Sequence, residues 1–539
     1  MLSTAKSIDP SLELISRTRI LPDDHTRAGT RTVPLSILDN TVVNYAMTSA
    51  AWYYDKPTGS ALSFSPELAS KSLQKTVNAY PQWAGQLQWM PYDLSRGQRH
   101  GRVCISYGSP ADPGVELIVA RFPTTLASLI PDNDARIKKG AWCADDFPAA
   151  QLLHPTELAL YNTKEYAGRP SVSVQLTAFA CGGFGVTLRI VHPIADATAM
   201  HQFVKDWAAI HRALLNDQPL PTPTPIFDPS LVDKAAAGDP TMPSIDPEIL
   251  RTARTLPLVR YDWWKSAPGC PAPMLPSTAV PAELAGTDLG PSETPAPWDT
   301  WDIFAPVSHC LLYFTPAEVQ RLWEDASAQL PAGAPRVSRL DALFAHLWRL
   351  VVRARGQAAD PAPNNLVVTL GVRARLASPL PDAFLGSPIT LAAASLPGET
   401  LADPSSLGAG AAAIRAAVTA FTPEKLAAFL HELAYAVNPQ RIWRAFLGER
   451  HSVVTSWLGL DLYGIDFGSG APPRYVEAVL PNMDGVFHAM EAKATSGDGA
   501  LQGGNRRWYD GPVCVSLHFN KEAMRKLLED PELRKYKDM

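Results

Sequence analysis

Long apolar runs, closely spaced cysteines and an excess of positive charge are all missing from this 539-residue chain. Each absence closes a class of function. No stretch of about 18 apolar residues occurs, so no transmembrane helix is expected. The start, Met1 to Asp24, lacks the apolar core of a signal peptide. The end, Lys537-Asp538-Met539, is not a Ser-Lys-Leu-type peroxisomal address. Lys and Arg total 48 against 53 Asp and Glu, a net charge of −5. Nucleic-acid binding needs a basic face that neutralises phosphates, so no nucleic-acid partner is expected. Six cysteines, Cys104, Cys143, Cys181, Cys270, Cys310 and Cys514, are widely scattered, with no Cys-x-x-Cys among them. That pattern is neither a zinc site nor a disulfide framework, so no metal is expected. Reduced thiols and a cytoplasmic location follow as expectations.

Apolar residues and proline are plentiful. Hydrophobic residues make up 46% and charged residues 19%, enough for a sizeable core. At roughly 150 residues per domain the length suits three to four units, or two large ones. Eighteen of the 50 prolines fall between Pro219 and Pro306, with Gly238, Gly269, Gly286 and Gly290 among them. Proline removes a backbone donor and restricts φ, so long elements cannot run there. Yet Trp263, Trp264, Trp298 and Trp301 lie in the same stretch, which a purely flexible linker would hardly carry. Residues 219–306 therefore read as a partly ordered crossover between a first half, 1–218, and a second, 307–539.

Both halves mix strands and helices. Ser65 to Tyr80 reads as a helix capped by Ser65, with Pro66 at its first position and Leu68, Leu73, Val77 and Tyr80 on one stripe. Ser171 to Ala180 alternates, Cys181 to Gly185 supplies a turn, and Val186 to Val191 returns, which is a hairpin signature. Ala197 to Leu214 follows as a helix with Met200, Phe203, Trp207, Ile210 and Leu214 at helical spacing. In the second half Ser338 to Arg355 is a helix with Asp341 three residues after its cap. Asn365 to Val372, His451 to Leu460 and Val513 to Phe519 read as strands, and Lys521 to Leu528 as a closing helix. The expected class is α/β or α+β, with mixed sheets and flanking helices.

His192 is the first candidate for chemistry. It ends a strand and opens the short loop Pro193-Ile194-Ala195-Asp196 before a helix. A strand end fixes the backbone while a loop leaves the side chain accessible. An imidazole titrating near pH 6.5 can take a proton from a hydroxyl or amine, although a hydrogen-bonded structural histidine fits the same position. Asp196 either caps the following helix or pairs with an arginine elsewhere, and in both accounts it is structural.

His192-Pro-Ile-Ala-Asp196 resembles the His-x-x-x-Asp motif of the BAHD acyltransferases, and Asp466-Phe467-Gly468-Ser469-Gly470 resembles their Asp-Phe-Gly-Trp-Gly. The order and wide separation of the two also match. Tyr80-Pro-Gln-Trp-Ala-Gly-Gln-Leu87, Ala345-His-Leu-Trp-Arg349 and the stretch Leu370 to Gly386 are similar to further family segments. The similarity spans about Val33 to Leu528, and the length is closer to fungal members such as the trichothecene acetyltransferases.

The resemblance implies two chloramphenicol-acetyltransferase-like domains with a channel between them. His192 would be the general base for direct attack of an acceptor on acyl-CoA, with no acyl-enzyme. The substrates would be acyl-CoA and a small-molecule hydroxyl, with no permanently bound cofactor, in a monomer. Arg373 would pair with Asp196, with Arg375 as rival. Asp466, Phe467 and Gly468 would shape the channel, while Ser338, Gly386 and Ser387 are candidates for the CoA side. Thr455 and Trp457, two apart on an expected strand, would share a face and line an oxyanion or acceptor pocket; packing on the sheet explains Trp457 equally. Ala197, Gly371, Ser469 and Ser387 depart from the residues usual in the family. The competing readings are acyl transfer from a carrier protein, as in condensation domains, and a binding or other role on the same scaffold.

Overall fold

The computed structural model describes residues 12–43, 47–57, 65–93, 97–161, 164–265, 268–495 and 507–537. The expectations for the extreme N-terminus, 1–11, and for Asp538-Met539 lie outside these. Two large mixed sheets organise the chain. The first has six strands in the order Glu13–Ile20, Val115–Phe122, Val172–Phe179, Phe184–Val191, Met47–Tyr54, Tyr475–Ala478. The second has seven, in the order Ile389–Pro397, Pro363–Gly371, His451–Ser456, Val486–Glu491, Val513–Asn520, Val307–Phe314, Ala141–Cys143. The α/β class with flanking helices is thus what the chain adopts. Among the described residues, no helix is long and apolar enough to cross a membrane.

Sheet membership does not follow chain order. Tyr475–Ala478, from late in the sequence, pairs antiparallel with Met47–Tyr54 and closes the first sheet. Ala141–Cys143, from early in the sequence, pairs antiparallel with Val307–Phe314 and closes the second. That second exchange corrects the expectation of reduced thiols throughout. It sets Cys143 directly opposite Cys310, and the two form a disulfide. Cys104, Cys181, Cys270 and Cys514 are free.

The helices lie where the apolar spacing puts them. Pro66–Val77 starts behind Ser65, whose Oγ accepts the Leu68 N–H at 3.1 Å. Ala197–Leu215 packs beside it, and the Trp207 indole donates to Ser72 Oγ at 2.9 Å. Arg339–Ala354 begins with reciprocal Ser338 and Asp341 bonds and is buried along most of its length. The strand expected over His451 to Leu460 stops at Ser456, so Trp457 stands just beyond it.

In the crossover the proline argument holds: the longest described helix is the seven-residue Pro247–Ala253. Trp263, Trp298 and Trp301 are core, and Trp264 is half-buried against them. Trp263 meets Trp298 edge-on at 4.8 Å, Trp298 stacks on Trp301 at 6.1 Å, and Phe446 from the second half packs against both Trp298 and Trp301. Truncating a buried aromatic side chain typically costs about 3–5 kcal/mol. Trp298→Ala should therefore lower the urea midpoint by a corresponding amount. A change below about 1 kcal/mol would show that the crossover is not part of the cooperative core.

Candidate active site

The strand Phe184–Val191 is interior to the first sheet, paired on both sides by Val172–Phe179 and Met47–Tyr54. Its end is therefore tied to both neighbours: Val191 pairs with Met47, and its N–H donates to the Ser171 carbonyl at 3.1 Å. A single turn, His192–Ile194, follows, and Asp196 then caps Ala197–Leu215. Pro193 fits the turn because it has no N–H to leave unpaired.

Three other segments clamp this loop. Thr48, on the neighbouring strand, donates its hydroxyl to the Ala195 carbonyl at 2.6 Å. The Asp196 N–H donates to the Gly386 carbonyl at 3.0 Å. Arg373, just past the end of Pro363–Gly371, forks onto the Asp196 carboxylate: Nη2 donates to Oδ1 at 2.9 Å and Nη1 to Oδ2. Asp196 Oδ1 also accepts the Ala199 N–H at 3.0 Å, which is the helix cap. Cap and ion pair, the two alternatives for Asp196, are thus made by one carboxylate. Arg375 points elsewhere and donates to the Val418 carbonyl at 3.2 Å.

The His192 ring is held on one side only. Nδ1 lies 2.7 Å from Ser387 Oγ. Nε2 has no hydrogen-bond partner among the described residues, and the residue is half-buried. Burial lowers the imidazole pKa, partly opposed by the Asp196 charge and by the ring's bond to its own carbonyl. Burial thus favours the uncharged ring.

Ser387 and Gly386 therefore sit under the loop. Gly386 has φ +129°, a conformation side-chain-bearing residues rarely adopt. Ser387 is fully buried, and its N–H donates to Asp39 Oδ1 at 2.7 Å. Ser338, the other CoA-side candidate, has its hydroxyl committed to the Asp341 N–H at 3.2 Å as a helix cap. Asp39 was not legible in the sequence. Its other oxygen accepts the Ser36 N–H and hydroxyl at 2.9 and 2.7 Å, and burial pushes its carboxyl up to about 7.

Asp466 organises its own turn. Oδ1 accepts from the Gly468 and Ser469 N–H groups at 2.8 and 2.9 Å, and its carbonyl takes the Arg212 guanidinium. The Phe467 ring lies edge-on to Trp207 at 4.8 Å. Gly468 has φ +90°, and a Cβ there would meet Leu215 at 2.5 Å. This turn therefore packs on the far end of the helix that Asp196 begins. Thr455 pairs with His488 on the adjacent strand, and Trp457 lies edge-on to the His488 ring at 4.6 Å. No bond links either side chain to His192.

Residues 10–256 and 308–533 match the profile of a transferase family. An acyltransferase of Alternaria alternata, AFT15-1, is 27% identical over 508 residues, 90% of each chain. The acyltransferase abl6 of Leptosphaeria maculans is 26% identical over 97% of this chain and 98% of its own. In structure, F. graminearum TRI101, solved with coenzyme A and deoxynivalenol, superposes with a TM-score of 0.62 at 17% identity, covering 94% of this chain and 99% of that one. The protein is an acyltransferase. It belongs to the transferase family of the BAHD enzymes.

Breaking a buried ion pair from one side costs roughly 3–5 kcal/mol, because the partner stays buried and charged. Asp196→Asn keeps a cap oxygen and removes the charge. It should lower stability by about that much in urea unfolding monitored by fluorescence, whereas a loss near zero would show that Arg373 does not secure the loop.

Proposed function

We propose that the protein transfers an acyl group from acyl-CoA to a hydroxyl of a small natural product by direct attack, with His192 as general base. The observation that carries this reading is the asymmetry of the ring: Nδ1 is engaged by Ser387 while Nε2 is free. The acceptor O–H gives its proton to Nε2 as its oxygen attacks the thioester carbon. The tetrahedral intermediate then expels the CoA thiolate, which takes the proton back from the imidazolium. One nitrogen serves both steps. Asp196 moves no proton, since its oxygens are filled by Arg373 and the helix cap. It holds the loop and leaves a nearby negative charge that favours the imidazolium.

Coenzyme A in the TRI101 structure supports a CoA thioester as donor. Thr455 and Trp457 are the proposed wall of the acceptor pocket and donors to the oxyanion, a contribution of about 2.7–4 kcal/mol for one such donor. The proposed division is 1–218 and 307–539 for the two acyltransferase units, with 219–306 as the crossover.

His192→Ala should reduce kcat by about 10²–10⁴ with an unchanged melting curve. Acyl-CoAs paired with an acceptor panel, read by thiol release and product mass, give the assay. Full activity in the variant would retire the mechanism.

The pH profile carries a second expectation. The neutral ring is the active form, and burial lowers its pKa below the usual 6.5. The acid limb of kcat/KM should therefore fall below pH 6.5, with activity already on its plateau at pH 7. An acid limb centred above pH 7 would contradict the assignment.

A further inference from the structure

We infer that the Cys143–Cys310 disulfide is a redox latch at the seam between the two sheets, opened and closed by exchange with a small thiol–disulfide couple such as glutathione. The closed latch holds the sheets in the register that acyl transfer needs, and reduction loosens it. The effect on activity rests on the acyl-transfer reading above. The thiol exchange does not.

Ala141–Cys143 is the edge strand of the second sheet, yet it comes from the half of the chain that builds most of the first. Its middle residue reaches back. The Trp142 ring meets Tyr475 edge-on at 5.3 Å, and the Arg136 guanidinium lies over both rings, at 5.3 and 5.1 Å. Tyr475 begins Tyr475–Ala478, the edge strand of the first sheet. Phe147 adds edge-on contacts to Tyr475 at 5.8 Å and to Tyr53 at 5.6 Å. Successive strand residues face opposite sides. Trp142 therefore engages the first sheet, while Cys143 turns the other way and bonds to Cys310, which packs with Leu312 and Phe314 in the core of the second half. One three-residue strand thus joins the two edges, and the disulfide is its covalent fixing.

Cys143 is exposed and Cys310 is fully buried, so an attacking thiolate reaches the Cys143 sulfur. A bond forms there, the S–S bond breaks, and Cys310 leaves as a thiolate and is protonated. A second thiol then displaces the first from Cys143. One protein disulfide and two small thiols become two protein thiols and one small disulfide, a two-electron exchange in which the protons of the attacking thiols end on the cysteines. Closing is the reverse: Cys143 takes the mixed disulfide and Cys310 resolves it. The open strand stays in place. On one side the Tyr313 N–H donates to the Gly140 carbonyl at 2.9 Å, and Arg534 donates to the same oxygen. On the other the Ala144 N–H donates to the His309 carbonyl at 2.8 Å, and Asp145 accepts the Ser308 hydroxyl and the His309 N–H at 2.5 and 2.7 Å. These bonds flank the cysteine pair without depending on it, so the two thiols remain opposed and can rejoin. Reduction removes the covalent link between positions 167 apart and leaves a short edge strand on hydrogen bonds alone, the kind of element that opens locally.

The test compares the full-length protein after oxidised and after reduced glutathione. A non-reducing peptide map should show the Cys143–Cys310 cross-link after the first and none after the second. In Cys310→Ser, oxidised glutathione should stay attached at Cys143, as the mixed disulfide that Cys310 otherwise resolves. Reduction of the wild type should speed amide exchange severalfold in peptides covering residues 140–147 and Tyr475–Ala478, leaving Phe184–Val191 unchanged. It should also lower kcat about 10-fold, short of the ~10²-fold that a 1 Å misplacement costs, and oxidised glutathione should restore both. Cys143→Ser should behave as the reduced wild type and ignore either form of glutathione, which excludes Cys104, Cys181, Cys270 and Cys514 as the cause. If that variant does not fold, the reduced wild type still decides. No cross-link after oxidised glutathione, or a reduced enzyme that matches the oxidised one in exchange or in kcat, would overturn the inference. If neither form transfers acyl groups, the acyl-transfer reading fails instead, and the cross-link and exchange still decide the latch.

Discussion

The Asp196 carboxylate is the constraint on which the site depends. It closes the first turn of Ala197–Leu215 and receives the fork of Arg373, which extends from a strand end of the second sheet. A buried ion pair contributes little net stability compared with apolar packing, because both charges lose their water. What it supplies here is registration. A planar fork meeting a carboxylate has one good geometry, so the end of one sheet is set against the loop that leaves the other. The 2.9 Å and 3.0 Å bonds converging on a single oxygen join the helix start to that registration.

The same helix is held at its other end by the same half of the chain. Arg212, in its last turn, donates to the Asp466 carbonyl, Phe467 packs on Trp207, and Gly468 leaves room for Leu215. The chain then continues into Tyr475–Ala478, which joins the first sheet beside Met47–Tyr54. Trp52 and Tyr54, on that neighbouring strand, donate to the Leu462 and Ile465 carbonyls at 3.0 and 2.9 Å. The two sequence motifs thus bracket one helix, which gives a physical reason for the second motif without any chemistry of its own.

What could be read from sequence was local. Pro66–Val77, the hairpin of Val172–Phe179 with Phe184–Val191, and Arg339–Ala354 carry their period, cap or turn within a few residues. His192 and Asp196 stood out by placement between a strand and a helix. The exchanged strands were not legible: Ala141–Cys143 and Tyr475–Ala478 are three and four residues long, and their partners are distant in sequence. Without that pairing nothing joins Cys143 to Cys310, 167 residues on. Asp39 and Ser36 were hidden for the same reason. The contact of Asp39 with Ser387 spans 348 positions, and nothing near Asp39 marks it. Ser387 was legible only as a departure from a family pattern and as a candidate for the CoA side; its contact with His192 Nδ1, across 195 positions, was not.

A serine oxygen 2.7 Å from a histidine nitrogen has the dimensions of a hydrolase dyad, so the choice between direct transfer and an acyl-serine intermediate turns on which side of the ring the serine occupies. A nucleophilic serine must be open to the thioester on the face where its proton departs. Ser387 is fully buried, its peptide is pinned by Asp39, and it meets Nδ1. The accessible nitrogen is Nε2, on the opposite side of the imidazole. An acyl group brought to Nε2 cannot reach Ser387 without opening the Gly386–Ser387 segment, which would also release the Asp196 N–H. Burial and the Asp39 bond therefore argue against Ser387 as a nucleophile, which supports the proposal that the acceptor itself attacks.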